Sequence, residues 1–467
     1  MDFVDIDTSA DMRLFLDPYF LANRFDPWSI QACETIRNYF QKLIDLIRAK
    51  DPDTKNLLLN MGEPNETCLG FSKGQPQGRG VGRIQAGEIF DSLDKSKAVA
   101  TGIVEDLEDC RIFVEGIDKD KISDMTTAII RKQLIEYTQH QARLNGISLS
   151  SGVSSGAFWD RNLGRWNAEH TEMLVIDGKR RLLVPKGIVS FVREYTPQRY
   201  YDDYVLNYLQ NDLRSLNPVL IRRRKSGEIW VAKKDLKEVY PYSKHFLMDF
   251  TERHPQIFQN FKQYSRQMSR YIQNDELSSC DIPFLVRSLM QQLQQMPAGD
   301  KNATNYHRLI TGIMELIFYP QLQCPKVERE INDGRKRIDI TFDNNSAEGF
   351  FCDLRGIHNI YSPYILVECK NYSREIANPE LDQMIGRFGD TRSRFGLIVC
   401  RKIDNMELFL NRCKDTLKDG HGLIIPLVDN DFIKILNGIA ASANGLTADS
   451  NIVNQILREY CRNVKLG

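Results

Sequence analysis

Apolar side chains recur at helical spacing between residues 27 and 50 (Ile30, Cys33, Ile36, Phe40, Leu43, Ile47), which predicts an amphipathic helix there. A second helix is expected over 126–142, behind a Ser123/Asp124 cap. The pattern then mixes. Residues 171–176, 181–184 and 228–232 read as short strands, and 246–296 returns to helical spacing. A Gln-rich tail (Gln291, Gln292, Gln294, Gln295) runs into Pro297, Gly299 and Asn302, a composition that predicts a linker.

Beyond that linker the periodicity is cleaner. A helix is expected over 304–318, strands over 337–342 and 350–354, a strand over 364–370 and a helix over 378–388. A strand over 395–400, a helix over 406–417, a strand over 423–428 and a helix from Asp431 complete the order. Such alternation argues an α/β domain with a mixed central sheet at residues 303–440, followed by a helical tail at 441–467. Upstream, the expectation is a largely helical α+β region: an acidic part at 1–150, and a basic part at 151–296 for recognition or assembly.

The chain has 467 residues, too many for one ordinary core. Its 42% hydrophobic and 27% charged residues exclude the disordered and low-complexity classes. No apolar run reaches the roughly 18–20 residues of a membrane span, and Asp2, Asp5, Asp7 and Asp11 stand where a secretory signal would be basic. A cytoplasmic protein is therefore expected, with no membrane partner. Ten cysteines without a CxxC argue against a zinc ribbon or a disulfide framework. The formal charge is zero but unevenly spread: residues 1–126 carry 15 Lys/Arg against 23 Asp/Glu, and residues 178–244 carry 15 against 7. Phosphate binding follows local potential, so neutrality does not exclude nucleic acid.

The candidate chemistry lies in the last third. In the expected strand Tyr-Ile-Leu-Val-Glu-Cys-Lys at 364–370, the two-residue period sets Leu366, Glu368 and Lys370 on one face. Asp339 stands between Ile338 and Ile340 on an earlier strand. Carboxylates in apolar strands are costly unless a cation compensates them. Two carboxylates and the backbone carbonyl of Cys369 form an oxygen set that could hold Mg²⁺ while leaving positions for water and phosphate oxygens. Lys370 beside such an ion would orient the attacking water.

Asp339, 28 intervening residues and then Glu368-Cys369-Lys370, on strands flanked by helices, resemble the PD-(D/E)xK nuclease superfamily with its restriction-endonuclease-like fold. The resemblance covers about residues 304–440. It implies Asp339 and Glu368 as metal ligands for Mg²⁺ or Mn²⁺ and Lys370 as the catalytic lysine. It further implies a glutamate on the preceding helix, matched by Glu315, and a glutamine on the following helix, matched by Gln383. Ile338 stands where the motif has proline, and the long spacing implies an insertion around 349–363.

Arg335, Lys336, Arg337 and Arg387 supply positive charge near this motif, and Arg222, Arg223, Arg224 and Lys225 form a second basic run suited to a nucleic-acid backbone. The glycine-rich stretch at 70–83 lacks a GK[ST] and reads as a loop. Trp159 and Trp166 are expected in a core. His307 lies two turns before Glu315 and would line the same helix.

The expected protein is thus a metal-dependent phosphodiester hydrolase, with DNA as the expected substrate. Its front region would gate the nuclease, alone, as a homo-oligomer or through a partner protein. By analogy with the superfamily it would be a restriction or antiviral defence effector. The alternatives are a non-catalytic nucleic-acid-binding or scaffold protein with the same fold, and a structure-selective DNA repair nuclease.

Overall fold

The computed structural model describes residues 2–6, 8, 12, 14–24, 26–61, 65–70, 83–190, 195–216, 222–223, 229–268, 282–331, 335–441 and 450–466. Two large hydrophobic cores organise them. The first runs from Val4 to Phe261 without a break at residue 150. The expected acidic and basic regions therefore share one interior, in which Tyr195 stacks on Tyr19 at 4.3 Å and on Phe261 at 5.1 Å.

This front region is largely helical. Its long helix Pro27–Arg48 starts at Asp26, whose side chain accepts the amide of Ser29. The helix expected over 126–142 is two helices, Lys119–Ile129 and Arg131–Leu144, broken at Ile130. Its cap is Asp118 and not Ser123 or Asp124: the Asp118 carboxylate accepts the Lys121 amide, while the Ser123 hydroxyl accepts from Leu16. Short antiparallel strands follow, among them His170–Ile176 and Lys179–Arg181. Trp159 is buried and meets Tyr39 edge-on at 5.0 Å; Trp166 packs beside it.

The second core surrounds a five-stranded sheet. Its elements are α1 (Ile282–Gln295), α2 (Ala303–Phe318), β1 (Leu322–Ile331), β2 (Lys336–Asn344), α3 (Phe350–Gly356), β3 (Tyr364–Lys370), α4 (Asn378–Ile385), β4 (Phe395–Cys400), α5 (Met406–Lys418), β5 (Leu423–Val428), α6 (Asp429–Ala441) and α7 (Ser450–Leu466). Strand order is β1-β2-β3-β4-β5, antiparallel for the first two pairings and parallel for the last two. Strands β4 and β5 are buried at every residue, as parallel strands covered on both faces must be.

Two expectations change here. Residues 350–354 form a helix, because Phe350, Phe351 and Leu354 at spacings of one and three put their apolar groups on one helical face. Strand β1 was not expected at all. It carries Pro325 and a register shift between Gln323 and Lys326, and both obscure a two-residue period. The segment expected as a linker is held against the sheet: the Asn371 side chain donates to the carbonyls of Pro297 and Gly299, and its own carbonyl accepts the Gly299 amide. Helix α1, upstream of it, buries Val286 and Leu293 in the second core, and α7 buries Val453, Leu457, Cys461 and Val464 there. Among the described residues no helix is long and apolar enough to cross a membrane.

Helices α2 and α4 lie on opposite faces of β3. The α2 residues Tyr306 and His307 approach Cys369, whereas α4 meets the alternate residue Glu368. Close approach of α4 depends on Gly396, the register partner of Leu366: a Cβ there would lie 2.4 Å from Sδ and 3.0 Å from Cγ of buried Met384. Gly396→Ala is expected to cost about 1–3 kcal/mol by overpacking, read as a lowered thermal midpoint. Met384→Ala should cost less in the Gly396→Ala background than in the wild type, since the clash needs both side chains.

Candidate active site

Asp339 and Glu368 meet because of register. Strand β2 pairs with β3 as Ile340 opposite Val367, and one further step sets Asp339 across from Glu368 on the same face. The Asp339 Oδ2 accepts the amide of Cys369 at 2.9 Å, filling the place of the next ladder bond. Glu368 is fully buried, and Lys370, two residues on, projects to the same side.

One ammonium spans both acids. Lys370 Nζ lies 3.1 Å from Glu368 Oε2 and 3.5 Å from Asp339 Oδ2. Helix α4 closes the group from above: Gln383 Nε2 donates to Glu368 Oε2 at 2.7 Å, and Arg387 Nε to Glu368 Oε1 at 3.3 Å. The helix ends at Ile385, so Arg387 reaches back from just beyond its C-terminus. Burial first, and then the Asp339 charge, push the Glu368 carboxyl up to about 7. Burial alone would lower the Lys370 ammonium, but Asp339 and Glu368 outweigh it and raise the group, which keeps its proton.

These residues fit a hard divalent cation. The donors are oxygens, as Mg²⁺ and Mn²⁺ require, and the Lys370 ammonium already marks the point where positive charge satisfies both carboxylates. The Cys369 carbonyl, expected as a third ligand, is met by His307 Nε2 at 3.0 Å and retains one lone pair. His307 is thus the α2 side chain at the site.

Glu315 is a correction. It lies eight residues beyond His307, about 12 Å along the helix, and its Oε1 accepts the Asp2 amide at 3.0 Å. It joins the seam between the two cores and not the carboxylate cluster. Asp2 is buried there too, with its Oδ2 accepting from Tyr137 and from the Cys324 amide.

The basic residues divide. Lys336 Nζ donates to the Gly386 carbonyl at 3.0 Å, which brings its charge beside Arg387. Arg335 and Arg337 are exposed, Arg337 with Glu328 at 3.3 Å. Arg394, Arg401 and Lys402 pair with Asp390, Asp429 and Asp404. Farther off, Arg222 of the short strand Arg222–Arg223 is bound to Asp235 at 2.6 Å, so it is less available to phosphate than the sequence implies. Arg224, Lys225 and residues 71–82 of the glycine-rich stretch lie outside the described residues.

Residues 1–196 match a family described as a domain of unknown function, DUF8370. No curated protein and no solved structure matches the chain.

Glu315 makes the seam sensitive to pH. Burial raises its carboxyl from 4.5 to about 7. A raised acid favours folding while both states are protonated, below about pH 4.5; that contribution is lost as the pH rises and is gone above about 7. Glu315→Gln, which mimics the neutral acid, should therefore gain up to about 3 kcal/mol over wild type at pH 8 and almost nothing at pH 4. Thermal midpoints of both proteins across that range check the sign.

Proposed function

We propose that residues 282–466 form a metal-dependent nuclease of the PD-(D/E)xK type, with a restriction-endonuclease-like fold, that hydrolyses phosphodiester bonds of DNA. The observation that carries this reading is the convergence of Asp339, Glu368 and Lys370 from two neighbouring strands, with Gln383 and Arg387 arriving from the next helix. The strand order and directions are compatible with that fold.

Asp339 and Glu368 would hold the ion, Mg²⁺ or Mn²⁺, which supplies a Lewis acid at the phosphodiester and acidifies a water. Lys370 would then face the incoming water and the charge that builds on the phosphate oxygens, near enough to stabilise both. Gln383 fixes the Glu368 carboxylate in one orientation. Arg387, with Lys336 beside it, gives the approaching backbone a positive wall. The N-terminal core would control access, in the manner of a restriction or antiviral defence effector, a role inferred by analogy alone.

The test is cleavage of plasmid, linear and single-stranded DNA by the full chain with Mg²⁺, Mn²⁺ or chelator. Wild type should cut with either metal and stop with chelator. Glu368→Ala, Asp339→Ala and Lys370→Ala should each lose at least about 100-fold in rate while keeping the wild-type far-UV spectrum. Gln383→Ala should lose less, about tenfold, and Glu315→Gln should still cut. A wild-type chain that binds DNA but cuts none of these substrates would instead support a non-catalytic binding protein, for which the Lys370 and Arg387 ion pairs would be purely structural.

A further inference from the structure

A second group of metal-ligating side chains lies at the seam between the cores, away from the carboxylates of β3. Asp26 caps the helix Pro27–Arg48 in the front region, whereas Cys324 and Asp343 belong to β1 and β2 of the sheet. One ligand atom from each lies within 4.8 Å of the other two. All three residues are more than nine-tenths buried, at 2%, 8% and 6% exposure.

What singles the group out is Asp343. Its carboxylate is buried and turned toward Asp26 and Cys324, with the charges of Lys326, Arg329 and Arg24 acting on it from beyond hydrogen-bond reach. A buried carboxylate without a directly bonded cation, set beside a second carboxylate, is expensive, and a cation held between the two lowers that cost. Asp26 cannot help. Its Oδ1 accepts from the Ser29 amide and its Oδ2 from Arg24, whose guanidinium also donates to the Gly187 carbonyl. Cys324 is turned inward by the register shift in β1, where its φ is +52°.

The geometry points to a zinc site, formed by Asp26, Cys324 and Asp343, that clamps the front region onto the sheet. The thiolate excludes Mg²⁺ and Ca²⁺ and selects a softer ion. Ligand atoms of a tetrahedral zinc stand about 3.3–3.8 Å apart, so side-chain movements of about an ångström close the group around the ion. A water or the second oxygen of a carboxylate completes four-coordination. This site is independent of the nuclease reading, since its ligands are none of the residues proposed to cut.

Full-length protein, expressed with zinc and purified under reducing conditions without chelator, should carry about one zinc per chain by elemental mass spectrometry. Cys324→Ser and Asp343→Asn should each carry at least about tenfold less, and Glu368→Ala should keep its zinc, which separates the seam from the catalytic group. Replacing zinc by Co²⁺ in the wild type should produce a thiolate-to-cobalt charge-transfer band, a reading that does not depend on any variant folding. Wild-type protein with neither zinc nor that band would overturn the site. So would zinc retained at wild-type level in both variants, or the cobalt band surviving Cys324→Ser.

Discussion

Two carboxylates on neighbouring strands cannot share a buried face without positive charge between them. The β2–β3 register brings Asp339 to Glu368, and Glu368 has no access to solvent. Lys370 bridges the two acids, while Gln383 and Arg387 bind the far oxygens of Glu368. Removing one partner from such a group costs about 3–5 kcal/mol, because a buried charge is left behind. The sheet therefore maintains an anionic pair with a matched cationic set, and that arrangement is what a divalent ion would enter. The other features of the C-terminal region serve it. Parallel β4 supports β3, Gly396 lets α4 approach, and α2 delivers His307 to the Cys369 carbonyl.

Much of this was legible in the sequence because the relevant strands have a simple periodicity. Tyr364–Lys370, Phe395–Cys400 and Leu423–Val428 are apolar runs of strand length bounded by polar residues, and the structure has strands at each. Glu368 and Lys370 share a face for the same reason. The misses have physical causes. A short apolar run such as Phe350–Leu354 fits a buried strand or a helix equally well, and only packing decides. Strand β1 was hidden by Pro325 and its register shift. Glu315 was expected at the site from its place in a motif, but helix rise carries it about 12 Å past His307, to the Asp2 amide. Asp26, Cys324 and Asp343 left no signal, since their meeting depends on contacts between residues some three hundred positions apart.

The seam ties the two cores more closely than a flexible linker would. Asp2 contacts Tyr137, Glu315 and Cys324, and Arg24 reaches Gly187 and Gln323. Asp343 and Asp339 lie on one strand and one face, four residues or about 13 Å apart. A cation at the seam and one at the Asp339/Glu368 pair would thus be held by the C-terminal end and the middle of β2. Any coupling between the front region and the Asp339/Glu368 pair has this strand as a direct mechanical route, which β2 offers by position alone.

In the function proposed above, Asp339 and Glu368 together bind one divalent cation. Crystals of the full chain soaked in Mn²⁺, with diffraction recorded at the manganese absorption edge, test it directly. The expected result is an anomalous peak between the two carboxylates, about 2.0–2.3 Å from an oxygen of each, with the Lys370 ammonium displaced from its bridging position. An occupied Mn²⁺ elsewhere in the crystal, with no peak at this pair and Lys370 still spanning both acids, would contradict it.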